Sequence, residues 1–218
     1  VMDDHSEISS IAKFTAQILV ASLIVILEDS SIRNIGDIFS TGVPQGLGFL
    51  SPALTILGIV GVINAFNMID GLDGLAGSLA LLALIVLAYI FFSSGDYDSY
   101  HLLLVCSTVV IVFLFFNFPR TFPERLQIFM GDTGSMFLGL IIAYFLIKAT
   151  LIQGPSQIAA PIAPWFVAVP LLDMLTVIFL RLAQHRSPFR ADRIHIHHAL
   201  TALSFSPLHT LLLVITPA

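Results

Sequence analysis

Apolar residues in this chain fall into long uninterrupted blocks. The blocks run over about 14–27, 52–65, 75–92, 102–118, 135–147 and 162–180, and a further apolar run begins near Leu208. With their flanks they approach the roughly 20 residues that carry a helix across a bilayer core of about 30 Å. The third and fourth blocks contain no charge at all. A membrane β-barrel would alternate in segments of about 10 residues, and these blocks do not. The pattern predicts an all-α, polytopic transmembrane helix bundle with about seven spans. The sixth block is the least regular, because Asp173 and three prolines (Pro161, Pro164, Pro170) interrupt it or its edge. The longest connections are 28–51 and 181–207, and the scattered glycines of the first are compatible with a short hairpin.

Composition agrees. Of 218 residues, 57% are hydrophobic and 11% charged, against about 25% charged in a typical soluble domain. Mean hydropathy is +0.97. A soluble globule could not be covered by so few charges, and a disordered chain would not be so apolar. The single cysteine, Cys106, lies inside an apolar block and excludes a disulfide framework; a buried small hydrophobe is its expected role. Residues 1–218 are expected to form one integral-membrane catalytic domain. The chain opens at Val1 on an acidic pair and stops at Ala218 within an apolar run, so truncation at both ends is expected.

Placing the charges by side says more than the net charge of −5. Alternate crossings put the start through Lys13, the turn 67–74, and the segments 119–134 and 181–207 on one side. Segments 28–51, 93–100 and 148–161 fall on the other. The first side carries Lys13, Arg120, Arg125, Arg181, Arg186, Arg190 and Arg193; the second carries Arg33 and Lys148. The positive-inside rule makes the first side cytoplasmic. Asp3, Asp4, Asp70, Asp73, Asp132, His195, His197 and His198 fall on that same side, although nothing in the crossing count required it.

Four clusters there carry candidate chemistry. In Asn64-Ala-Phe-Asn67-Met-Ile-Asp70-Gly71-Leu72-Asp73-Gly74, two acids three apart share one side if the segment is helical. Polar density at the end of a span usually marks function, with a capped solvated turn as the plainer reading. In Phe129-Met130-Gly131-Asp132-Thr133-Gly134-Ser135, Asp132 is equally a helix N-cap or a metal ligand. Asp3-Asp4 is either solvent decoration or a pair needing a cation. Residues 181–198 hold four arginines and four histidines, suited to phosphate or, for the arginines, to lipid headgroups. Several carboxylates imply a hard divalent cation, Mg²⁺ foremost. Metal, phosphate and a membrane face together point to phosphoryl-type transfer with a lipid partner. A P-loop and a His-Glu-x-x-His zinc site are both absent from the sequence.

The motifs Asn-Ala-Phe-Asn-Met-Ile-Asp-Gly-Leu-Asp-Gly-Leu-Ala-Gly, Phe-Met-Gly-Asp-Thr-Gly-Ser and His-Ile-His-His resemble those of the polyprenyl-phosphate N-acetylhexosamine-1-phosphate transferases. The resemblance runs in order from Asp3-Asp4 to the histidines. His-Ile-His-His after Ser-Pro-Phe-x-x-Asp-Arg is similar to the branch that uses UDP-N-acetylglucosamine (UDP-GlcNAc).

The resemblance implies ten or eleven transmembrane helices in a whole family member, in a bacterial inner membrane with a cytoplasmic active site. It implies transfer of N-acetylglucosamine 1-phosphate to undecaprenyl phosphate with release of UMP, the first membrane step of a cell-surface polysaccharide. By position, Asp132 matches the Mg²⁺ aspartate, with Mn²⁺ an acceptable substitute, and Asp70 and Asp73 match acids of the nucleotide and metal region. Asn67 lies near the expected uridine site. Asp3 and Asp4 match the pair tied to catalysis and lipid phosphate. His195, His197 and His198 match the histidines expected on the sugar-nucleotide phosphates, and Arg181 a UDP-sugar arginine. The expected partners are UDP-GlcNAc, undecaprenyl phosphate and membrane lipids, with a homodimer left open and no nucleic acid. One-step and two-step transfer both remain open, and Asp173 has no assigned role. Phospho-MurNAc-pentapeptide transfer, a secondary transporter and a noncatalytic scaffold are the alternatives.

Overall fold

The computed structural model describes residues 9–37, 45–118, 128–154 and 156–185. Six α-helices are found among them: α1 Ser10–Leu27, α2 Ser51–Ile69, α3 Leu75–Ser94, α4 Tyr97–Asn117, α5 Gly131–Leu151 and α6 Ala168–Ala183. Short 3₁₀ segments, Gly48–Leu50 and Ala160–Val167, lead into α2 and α6. With these, six apolar stretches of 18 to 24 residues are long enough to cross a bilayer. Each expected block from the first to the sixth coincides with one such stretch, the fourth overrunning its helix by Phe118. The apolar run from Leu208 lies outside the described residues.

The doubtful sixth block proves continuous over Ala160–Ala183. Pro164 would clash with the preceding turn of an α-helix, and the chain is 3₁₀ there. The α-helix starts at Ala168, so Pro170 falls in its first turn, where no intrahelical N–H bond is lost.

Burial follows position in the bundle. Ten residues of α3 are buried, including Leu75, Leu84, Leu87 and Phe91, whereas α1 buries only Gln17, Ala21 and Val25. The outer faces of α1 and α4 carry Leu19, Leu23, Ile26, Val109 and Phe115 exposed, as lipid-facing helices do. Close backbone approach sets the α2–α5 contact. A Cβ on Gly139 would lie 2.8 Å from the Ile63 Cα and 3.1 Å from the Val62 carbonyl oxygen. Small residues at Ser135, Gly139 and Ala143 form the buried stripe of α5 that permits this. On α6 the buried stripe is Pro170, Asp173, Met174, Val177 and Arg181, so Asp173 and Arg181 both point inward. Cys106 is only partly buried, less than expected, because it sits on α4 at the rim of the core.

The end of the bundle formed by 28–37, 94–99 and 144–158 is tied by polar contacts. Tyr144 donates to Glu28 (3.1 Å), and Lys148 pairs with Asp96 (3.0 Å). Ser51 donates to the Ile32 carbonyl (2.7 Å), and the Ile32 N–H donates to Thr55 (2.9 Å). Among the described residues, an antiparallel bridge joins Asn34 and Gly46 within the segment where a hairpin is expected.

Candidate active site at one end of the bundle

The acidic turn is not helical, contrary to the spacing argument. α2 stops at Ile69 because Asp70 leaves helical conformation (φ −74°, ψ 57°). The Gly71 N–H then closes on the Ile69 carbonyl (2.8 Å), and the Leu75 N–H on Leu72 (3.0 Å). Gly74 is left-handed (φ 81°), a conformation that glycine adopts at little cost, and it caps the start of α3. Its N–H donates to Oδ1 of Asn117 (2.7 Å), the last residue of α4. Nδ2 of the same side chain donates to the Ile128 carbonyl (2.7 Å). Asn117 is buried, and its two bonds fix the acidic turn against the strand of chain that enters α5.

α5 begins at Gly131 with Met130 at the N-cap position, so Asp132 lies inside the first turn and does not cap it. Its carboxylate serves other elements. Oδ2 accepts from the Lys13 ammonium of α1, and Oδ1 from Asn67 Nδ2 of α2 (3.2 Å). Asn67 also donates to the fully buried Ser135 hydroxyl (3.1 Å). Three helices thus meet at one carboxylate. Asp70 is half-buried; burial first, then the like charges of Asp132 and Asp73, raise its pKa to about 6. Burial raises Asp73 as well. Acids that repel one another in a partly desolvated place call for a cation.

One turn further in, Asn64 Nδ2 donates to Gln17 Oε1 (2.6 Å) and to the Val60 carbonyl (2.8 Å), and Gln17 donates to the Met136 sulfur (3.3 Å). Asn64 also borders a cavity of about 660 Å³ between α1, α2, α5 and α6. Its wall is apolar, with Leu57, Val60, Leu146, Val167 and Met174 among the lining residues. At one end it reaches Phe14 and Met68, the chain neighbours of Lys13 and Asn67; elsewhere it is bounded by Ile32 and Thr150.

Of the residues singled out in the sequence, the structure brings Asn67, Asp70, Asp73 and Asp132 to one end of the bundle. Arg181 lies buried in the last turn of α6, which packs against α2 and by alternation ends on the same side. Asp3, Asp4, His195, His197 and His198 lie outside the described residues. Sequence reasoning missed two members. Lys13 counted only as a topogenic charge, and Asn117 was read as part of an apolar block. The available signal for Asn117 was an amide at the end of a span, just before Phe118-Pro119.

The donor set fits a hard divalent cation. Mg²⁺ needs only one or two carboxylates, with water and substrate phosphate completing its shell. Asp70 feels the charges of Asp132 and Asp73, so these are the carboxylates this end of the bundle offers. Among the described residues no group of three or more Asp, Glu, His or Cys surrounds a single metal position.

Six apolar helices with an acidic, amide-lined end, and an apolar cavity that reaches Asn64, Phe14 and Met68, define a polytopic membrane protein with polar chemistry at one end of the bundle. Residues 1–150 match the model of glycosyl transferase family 4, and the chain belongs to that family. It is similar to the undecaprenyl-phosphate alpha-N-acetylglucosaminyl 1-phosphate transferase of Haemophilus influenzae, with 31% identity over 98% of this chain and 60% of the relative. The proteins of the same description from Pasteurella multocida and Escherichia coli K12 are 33% and 38% identical over 48% and 38% of this chain, and 29% and 22% of their own lengths. The chain thus spans about three fifths of the Haemophilus relative's length.

Proposed function

We infer that the protein transfers N-acetylglucosamine 1-phosphate from UDP-GlcNAc to undecaprenyl phosphate at the cytoplasmic face of a bacterial inner membrane. The observation that carries this reading is the convergence of Lys13, Asn67, Asp70 and Asp132 beside an apolar cavity. The relatives' shared description supports it. Seven of nine basic residues on the side of the acids support the cytoplasmic orientation.

An oxygen of the lipid phosphate forms a bond to the β-phosphorus of the donor, and the bond from that phosphorus to the bridging oxygen breaks. UMP leaves with that oxygen. A bound Mg²⁺ would supply charge neutralisation for the diphosphate and the leaving group. Asp132 would hold it, with Asp70 or Asp73 alongside. Asn67 orients the Asp132 carboxylate, and Asn117 fixes the acidic turn. The cavity gives the lipid's apolar tail a path that ends beside the polar residues. A phosphate monoester is largely ionised near neutrality, its second pKa being about 6, so Asp3 or Asp4 need not act as a strong base. The remaining task is alignment and charge stabilisation. His195, His197, His198 and Arg181 belong, in this reading, to the grip on the donor's phosphates.

The protein in mixed micelles with undecaprenyl phosphate and Mg²⁺ should release UMP from UDP-GlcNAc and form a GlcNAc-diphospho-lipid. UDP-MurNAc-pentapeptide and UDP-GalNAc should be poor donors. Turnover of the pentapeptide donor alone would move the protein to the peptidoglycan branch. No UMP from any donor would favour a transporter or scaffold.

A further inference from the structure

Asp132 already has a cationic partner, which a metal at the same oxygen would have to compete with. The Lys13 ammonium contacts Oδ2 and Asn67 holds Oδ1, so both oxygens are engaged. Lys13 reaches Asp132 from α1, near the start of the described chain, across 119 positions of sequence. The two side chains are 23% and 48% exposed, so the pair is wet enough to open but not fully screened. Asp70 adds a like charge close by. A divalent cation arriving at Asp132 meets an ammonium on the oxygen it would use.

We propose that Lys13 is the resting counter-ion of Asp132 and is exchanged for the divalent cation when the site is loaded. Lys13 neutralises and orients the carboxylate beforehand, together with Asn67. Its long flexible stem lets it withdraw without moving α1. Asn67 keeps Oδ1 in place during the exchange, which leaves Oδ2 for the metal. The inference rests on the reading of Asp132 as the metal-holding acid.

Binding of Mn²⁺ to the purified full chain, followed by the loss of free-ion EPR signal without substrate, tests it. Lys13→Met removes the competitor and keeps the apolar stem. It should bind Mn²⁺ about two- to fivefold more tightly. Lys13→Arg keeps the charge and can grip the carboxylate through two parallel bonds, so it should bind Mn²⁺ several-fold more weakly than the wild type. Unchanged or weaker binding in Lys13→Met overturns the exchange. Tightening in Lys13→Met with wild-type affinity in Lys13→Arg also overturns it, since that pattern reports a general field and not a shared oxygen. Asp132→Asn separates the two levels: if it binds Mn²⁺ as the wild type does, the assignment of Asp132 fails; if it loses binding while Lys13→Met is unchanged, only the exchange fails.

Discussion

Asn117 commits both ends of its amide to backbone groups on two other segments. Asn117→Ala leaves the Gly74 N–H and the Ile128 carbonyl without that partner. The expected cost is about 1–3 kcal/mol, read as a melting temperature lower by several degrees. Transfer should fall further than stability does, because the acidic turn loses its anchor. Asn117→Asp should not rescue it, since a carboxylate would face the Ile128 carbonyl. The acids and Asn67 were legible in the sequence, because carboxylates and amides stand out against apolar blocks. Lys13 and Asn117 were not legible as site members. Their meaning depends on partners 119 and 43 positions away, which only the packed helices bring into reach.

At the scale of the elements, the α2–α5 crossing depends on the missing side chain of Gly139. Gly139→Ala should push the helices apart and cost about 1–3 kcal/mol. Gly58→Ala, where nothing lies within 4 Å, should be neutral or slightly stabilising. Thermal unfolding of the two variants in the same detergent makes the comparison. The turn between α3 and α4 carries a pH dependence. Burial alone would raise Asp96, but the Ser99 N–H and hydroxyl and the Lys148 ammonium outweigh it and hold the carboxyl below its ordinary value of 3.8. A lowered carboxyl adds stability that is complete above the ordinary value and is lost as pH falls through the folded one. Wild type should therefore melt above Asp96→Asn near neutral pH, and the two curves should converge below about pH 4. Block lengths predicted every described helix, because apolar length is what a bilayer demands. They did not predict where helices end: Asp70 and Asp73 fell in a turn, since α2 stops at Ile69 and α3 starts only after Gly74, and Asp132 fell two residues past the Met130 cap.

For the whole molecule, alternation of the spans is what turns scattered motifs into one site. Six helices place the start of α1, α3 and α5 and the end of α2 and α4 together, as the Lys13, Asn67, Gly74, Asn117 and Asp132 contacts show. Orientation can be tested with the native cysteine removed. In a Cys106→Ala background, Asp98→Cys should react with an impermeant maleimide added to intact cells. Thr133→Cys should react only after permeabilisation; the reverse pattern would invert the topology.

If the end of the bundle around Asp132 is where sugar phosphate changes hands, as proposed, transfer must depend on that carboxylate. The most direct measurement compares wild type and Asp132→Asn for Mg²⁺-dependent UMP release from UDP-GlcNAc with undecaprenyl phosphate, after both are shown to melt alike. Wild type should release UMP, and release should fall by at least about a hundredfold in the variant. Near-normal turnover in Asp132→Asn would contradict it.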